Sequence, residues 1–156
     1  MPRVVKIFLV LFIIVAAFIF SLREIVPLVS PRPDNLGVEN GRLAPCPASP
    51  NCVSSQAEDE PHAIAPLTYT GDTAVAHDKL TALITADPQA VLITNQPNYI
   101  HAEYRTRFWH FIDDVEFFID TNTQTIHMRS ASRLGYGDLN ANRTRMEQIR
   151  TLFVGE

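Results

Sequence analysis

The residues with the greatest chemical capacity cluster late in the chain, in Arg129-Ser-Ala-Ser-Arg133, Gly135-Tyr-Gly-Asp138 and Asn142-Arg-Thr-Arg-Met-Glu147. Strand alternation sends Arg129, Ala131 and Arg133 to one face, the two glycines permit a tight turn, and Arg143, followed by Arg145, enters at a helix N-terminus. Planar guanidinium groups and the positive end of a helix both favour phosphate or carboxylate. Arg129, Arg133, Arg143 and Arg145 are therefore the candidate binding residues, for an anionic small molecule or an envelope protein. Eleven of the thirteen basic residues are Arg, which suits planar recognition. The alternative is internal: the same arginines pair with Asp113, Asp114, Glu116, Asp138 and Glu147 and fix the loop against a sheet.

A second constellation is acidic. His101-x-Glu103 puts two metal-capable ligands on one strand face, and His110, Asp114, Glu116 and His127 offer others from neighbouring strands. That would suit metal-assisted hydrolysis, yet polar residues at alternate positions are also what a solvated sheet face requires. Asp113 and Asp114 are adjacent and must point to opposite faces, so only Asp114 and Glu116 could act as a carboxylate pair. Ser54, Ser55, Ser130 and Ser132 stand in neither a Gly-x-Ser-x-Gly nor a Ser-x-x-Lys motif. No cofactor and no metal is expected, and the favoured role is a non-enzymatic binding or envelope-accessory module. A hydrolase built on Asp114, Glu116 and His101 or His110 is one alternative, and a thiol–disulfide module built on Cys46 and Cys52 is another.

Those two cysteines are the only ones, and Cys46-Pro-Ala-Ser-Pro-Asn-Cys52 lacks the Cys-x-x-Cys spacing of a catalytic dithiol. In an oxidising compartment they are expected to form a local disulfide. The compartment follows from the N-terminus. Val4 to Leu22 is apolar except for Lys6 and Ser21, and a helix over it reaches about 29 Å, enough to cross a bilayer. Arg3 and Lys6 precede the apolar run, so the positive-inside rule keeps the N-terminus in the cytoplasm and exports the rest. The expectation is a single-pass inner-membrane protein with an uncleaved anchor and a periplasmic or otherwise extracytoplasmic domain.

The 156 residues are 46% hydrophobic and 19% charged, which fits one folded domain with accessory segments. A net charge of -4 excludes a broad phosphate-binding surface, so no nucleic-acid partner is expected. The division expected is an anchor over residues 1–26, a proline-rich linker with the cysteine loop over 27–60, and an α+β domain over 61–156. Eight of eleven prolines lie between Pro27 and Pro66, which suggests a semi-rigid tether.

The elements that must position the candidate residues are legible in outline. Ile64, Pro66, Leu67 and Tyr69 suggest a short edge strand, and Asp72 or Thr73 caps a helix carrying Ala76, Leu80, Leu83 and Ile84. Strand-like runs follow at Ala90–Thr94, Asn98–Thr106, Phe108–Asp120 and Thr125–Ser132. Thr144-Arg-Met-Glu147 has capping-box form ahead of an apolar line at Met146, Ile149, Leu152 and Phe153. The fold class is α+β: an N-terminal transmembrane helix, then one antiparallel sheet of about four to five strands with two helices on one face.

Four segments, Cys46-Pro-x-Ser-Pro-Asn-Cys52-Val-Ser-Ser55, Tyr69-x-Gly-Asp72, Asp113-Asp-Val-Glu-Phe117 and Arg129-Ser-Ala-Ser-Arg-x-Gly-Tyr136-x-Asp-Leu139-x-x-Asn142-Arg-x-Arg-x-Glu147, carry a resemblance. The chain is similar over about residues 44–153 to the domain of unknown function 1499 family. The resemblance implies an exported or membrane-tethered domain and brings no assigned reaction. Asn140 stands where it leads us to expect glycine.

Overall fold

Three long strands organise the protein because each alternates an apolar with a polar residue, and both sets end up buried. The structure, a computed structural model, describes residues 2–155. After helix α1 (Arg3–Ile25) and a 3-10 turn (Val26–Val29) come the short strands β1 (Val38–Glu39), β2 (Arg42–Leu43), β3 (Cys52–Ser54) and β4 (Leu67–Thr68). Helix α2 (Thr73–Ala86) leads to β5 (Ala90–Gln96), β6 (Tyr99–Arg105), β7 (Ile112–Asp120) and β8 (Thr125–Ser132), and α3 (Ala141–Val154) closes the chain. The main sheet is antiparallel and six-stranded, in the order β3-β8-β7-β6-β5, with β4 also paired to β8.

One face of this sheet packs on both helices. Ile100, Ala102, Tyr104, Val115, Phe117, Ile119, Ile126 and Met128 meet Leu80 and Ile84 of α2 and Met146, Ile149 and Phe153 of α3 in one apolar cluster. Asp72 caps α2 by accepting from the Ala74 amide at 2.8 Å. In α3, Leu152 faces outward, 58% exposed.

The structure differs from expectation in three places, each with a local cause. The third strand begins at Ile112, because Thr106 to Phe111 closes a hairpin loop in which His110 takes a left-handed conformation (φ +56°). Helix α3 begins at Ala141, so Thr144 and Glu147 are not its cap. Asp138 serves instead, accepting from the Asn140 and Asn142 amides at 3.1 and 2.9 Å, and Glu147 pairs with Arg150. Asn140 itself sits at φ +65°, a conformation glycine and asparagine adopt with little strain.

The third difference concerns residues 27–60. These do not hang free as a tether. Cys52–Ser54 is a strand of the main sheet, and Val38–Leu43 folds into a hairpin turning at Asn40-Gly41, both at positive φ (51° and 74°). Leu43 is buried, and its amide donates to the Gln56 side chain at 2.8 Å. The segment from Ser30 to Pro47 lies over the sheet face that the helices leave open, and what it covers is charged.

Candidate functional site

The covered face is assembled by strand register. Across β6 and β7, His101 stands opposite Glu116 and Glu103 opposite Asp114, and across β7 and β8, Glu116 stands opposite Arg129. Arg133 follows directly after β8 and returns over the same face. His101, Glu103, Asp114 and Glu116 were expected on a solvated face, and Arg129 and Arg133 either at an anion site or paired internally. Instead His101, Glu103, Asp114, Glu116 and Arg129 are buried, Glu116 completely. The reason is the covering segment, which brings its own donors and acceptors.

Burial of a carboxylate is tolerable only when its oxygens are matched by donors, and here they are. Arg133 grips Asp114 with both arms of its fork, Nε donating to Oδ2 at 2.8 Å and Nη2 to Oδ1 at 2.7 Å. Its Nη2 also reaches Glu103 Oε1 at 2.5 Å, and Nη1 donates to the Ser30 carbonyl at 3.2 Å. Arg32, from the covering segment, donates to the same Glu103 oxygen from Nε and Nη2 at 3.0 and 2.7 Å. His101 Nε2 lies 2.8 Å from Asp114 Oδ1. Glu116 accepts from the Tyr99 hydroxyl and the Gly37 amide, both at 2.8 Å, and from Arg129 Nη1 at 3.0 Å. Gly37 has φ +114°, outside the usual range of side-chain-bearing residues, and that turn is what aims its N–H at Glu116.

The electrostatics follow from this packing. Burial alone would push the Asp114 carboxyl up, but the Arg133 fork and His101 outweigh it and hold the group below its ordinary value. Glu103 behaves alike, burial being outweighed by Arg133 and Arg32. Burial and the neighbouring Glu116 push the Tyr99 hydroxyl well up, so it stays a hydrogen-bond donor. Bonding to Asp114 pushes Arg133 further up despite its burial.

The four candidate arginines do not converge. Arg129 and Arg133 share the covered face, whereas Arg145 lies on the helix side of the sheet. There it donates to Asp113 at 2.6 Å and lies 4.7 Å from the Tyr104 ring centroid. Arg143 donates to the Ala63 and Pro61 carbonyls at 2.9 and 3.1 Å, holding the chain ahead of β4. Asn142, fully buried, joins the two longest motifs. Its amide donates to the Asn51 carbonyl and to Ser132 Oγ at 2.9 Å, while its oxygen accepts from Ser130 and Arg145. Asn51 in turn donates to the Gly135 carbonyl at 2.7 Å. The cysteine segment and the arginine segment are thus two sides of one hydrogen-bonded joint.

Of the alternative catalytic residues, His101, Asp114 and Glu116 share the covered face, while His110 and His127 lie apart from them. His110 sits in the β6–β7 loop, and His127 stacks on Phe118 at 6.0 Å with Ser55 Oγ 3.4 Å away. Burial lowers the His127 pKa. Among the described residues, no group of three or more His, Cys, Asp or Glu is placed to hold a metal ion. Cys46 and Cys52 form a disulfide.

One cavity opens onto the charged face. It encloses about 350 Å³ between the sheet and the covering segment, with Arg129, Arg133 and Asp114 on one wall and Pro33, Asn35 and the disulfide-held Cys46 on the other. Arg129 enters it half-used. Nη1 is its one hydrogen-bonding nitrogen among the described residues, and Nε is buried without a partner. A larger cleft of about 820 Å³ lies by the β1–β2 hairpin, lined by Asp34, Glu39, Glu58 and Asp59 with Arg42.

An antiparallel sheet with helices on one face and a charge-clamped cover on the other defines the class of domain. A family model described as protein of unknown function (DUF1499) matches residues 42–153, and the chain belongs to that family. No curated protein and no solved structure matches it.

Two predictions follow from the clamp. Arg133→Met leaves Asp114 and Glu103 buried without their main donor, and should lower unfolding free energy by about 3–5 kcal/mol in a urea titration. The acid limb carries the second. Asp114 and Glu103 have lowered pKa values when folded, so the unfolded chain binds protons more readily. Their stabilisation is complete above the ordinary carboxylate range near pH ~4 and is lost as pH falls through it towards the folded values. Urea midpoints measured against pH should fall there, and the fall should be shallower in Arg133→Met.

Proposed function

We propose that this protein is a membrane-anchored, extracytoplasmic binding module without catalytic activity, and that its ligand is a small carboxylate or phosphate anion held by Arg129. The observation that carries the proposal is a buried guanidinium on the wall of a cavity, its Nε without a partner among the described residues. Nε and Nη2 together form the edge that takes a carboxylate or phosphate in two parallel hydrogen bonds. Arg133 adds a second positive charge on the same wall, its fork already committed to Asp114.

The wider context supports it. Helix α1 is long and apolar enough to cross a membrane, with Arg3 and Lys6 on its leading side. That charge pattern favours an N-terminus in the cytoplasm and a domain outside it, at the cell's inner membrane. A disulfide fits the oxidising side. On the covered face, Asp114 and Glu116 are saturated by donors, which suits a rigid frame around Arg129 better than a general acid and base.

Titration calorimetry of the full chain in detergent, against inorganic phosphate and against acetate, tests the proposal. Binding of at least one anion is expected, and Arg129→Lys should weaken it by roughly tenfold to a hundredfold, since charged hydrogen bonds contribute about 1.5–3 kcal/mol. Lysine keeps a charge beside Glu116 but has no fork. Absence of heat with either anion, or binding that Arg129→Lys leaves unchanged, would overturn it.

A further inference from the structure

The β6–β7 loop, Thr106-Arg-Phe-Trp-His110, is apolar where a surface turn is ordinarily polar. Phe108 is 60% exposed and Trp109 39% exposed, and their rings pack edge to face on each other, centroids 4.9 Å apart. The loop is nonetheless well held. The Thr106 amide donates to the Phe111 carbonyl at 3.0 Å, the His110 amide to the Thr106 carbonyl at 3.1 Å, and the Phe111 amide to Thr106 Oγ1 at 3.0 Å. A braced loop that displays two large rings is a preformed apolar wedge. Its flanks, Arg105 and Arg107, are exposed and cationic, and no carboxylate occurs between Tyr104 and Ile112.

The wedge projects from the sheet end at which the anchor enters. Ser30, a few residues past α1, accepts from Arg133 Nη1, and the Arg133 amide donates to Ile112, the first residue after the loop, at 3.0 Å. Phe108 also shares a cavity with Phe12, Ala16, Ile19 and Arg23, positions on one face of α1. Along this cavity the helix advances about 17 Å from Phe12 to Arg23, and Ala16 lies about 10 Å from Arg23. An apolar group at the membrane interface sits about 5–10 Å deep. Tryptophan flanked by arginine is the composition that interface favours.

We propose that the Phe108–Trp109 tip is a second membrane contact, entering the interfacial layer of the leaflet from which α1 emerges, so that the domain is held to the lipid at two points. This rests on α1 crossing the bilayer. With the anchor it fixes the domain's tilt and turns the Arg32–Arg133 end of the covered face towards the headgroups.

Trp109 is the single tryptophan, so its emission reports on this loop alone. The full chain is reconstituted in phosphatidylcholine vesicles with plain or brominated acyl chains, and aqueous iodide is added to a parallel sample. Bromine is expected to quench the emission, and iodide to quench it far less than it quenches free tryptophan. Phe108→Asp should reverse both effects without altering the urea midpoint, because Phe108 lies outside the core. If iodide quenches freely and bromine does not, in protein that resists alkaline carbonate extraction, the tip contact is wrong and the anchor stands. If carbonate strips the chain from the vesicles, the anchor reading fails and takes the two-point contact with it.

Discussion

Three carboxylates, Glu103, Asp114 and Glu116, are buried on the face of the sheet opposite the helices, and the architecture follows from the need to match them. A buried, unpaired carboxylate is costly enough to unfold a domain of this size. Arg129 and Arg133 come from the adjoining strand and the turn beyond it. Arg32, the Gly37 amide and the Ser30 carbonyl come from a segment more than sixty residues earlier in the chain. The cover and the sheet are therefore mutually dependent: the sheet holds charges that need a lid, and Leu43 is the one apolar residue the lid fully buries.

This arrangement ties the two longest motifs to each other. The Asn51 and Asn142 side chains carry hydrogen bonds across the joint between β3, β8 and α3, and the Cys46–Cys52 disulfide fixes the wall of the cavity that Arg129 enters. A short disulfide loop of this kind stabilises by roughly 2 kcal/mol through the unfolded chain, so its larger effect is to place Pro45 to Pro47.

Much of the fold was legible in the sequence because period and punctuation agree with the structure there. Ile100, Ala102 and Tyr104 alternate as their burial demands, Asp72 caps α2, and Asp113 and Asp114 do lie on opposite faces. What escaped was the polar face. His101, Glu103, Asp114 and Glu116 read as solvent-facing, since alternation gives a side chain's direction and says nothing of what lies beyond it. The signal that could have revealed the cover was Asn40-Gly41 between Val38 and Leu43, a strong hairpin dipeptide hidden among the prolines. Of the candidate arginines, Arg129 and Arg133 were placed correctly on one face. Arg143 and Arg145 point elsewhere because α3 begins four residues earlier than its capping-box sequence suggests.

Residues 30–47 belong to the cooperative fold, clamped over a buried charged face. Hydrogen exchange at the Gly37 amide, bonded to Glu116 from within the covering segment, tests it most directly. The account predicts protection approaching that of the β7 amides, so that Gly37 exchanges only when the sheet itself opens. Exchange at the rate of an unstructured glycine, with β7 still protected, would contradict it.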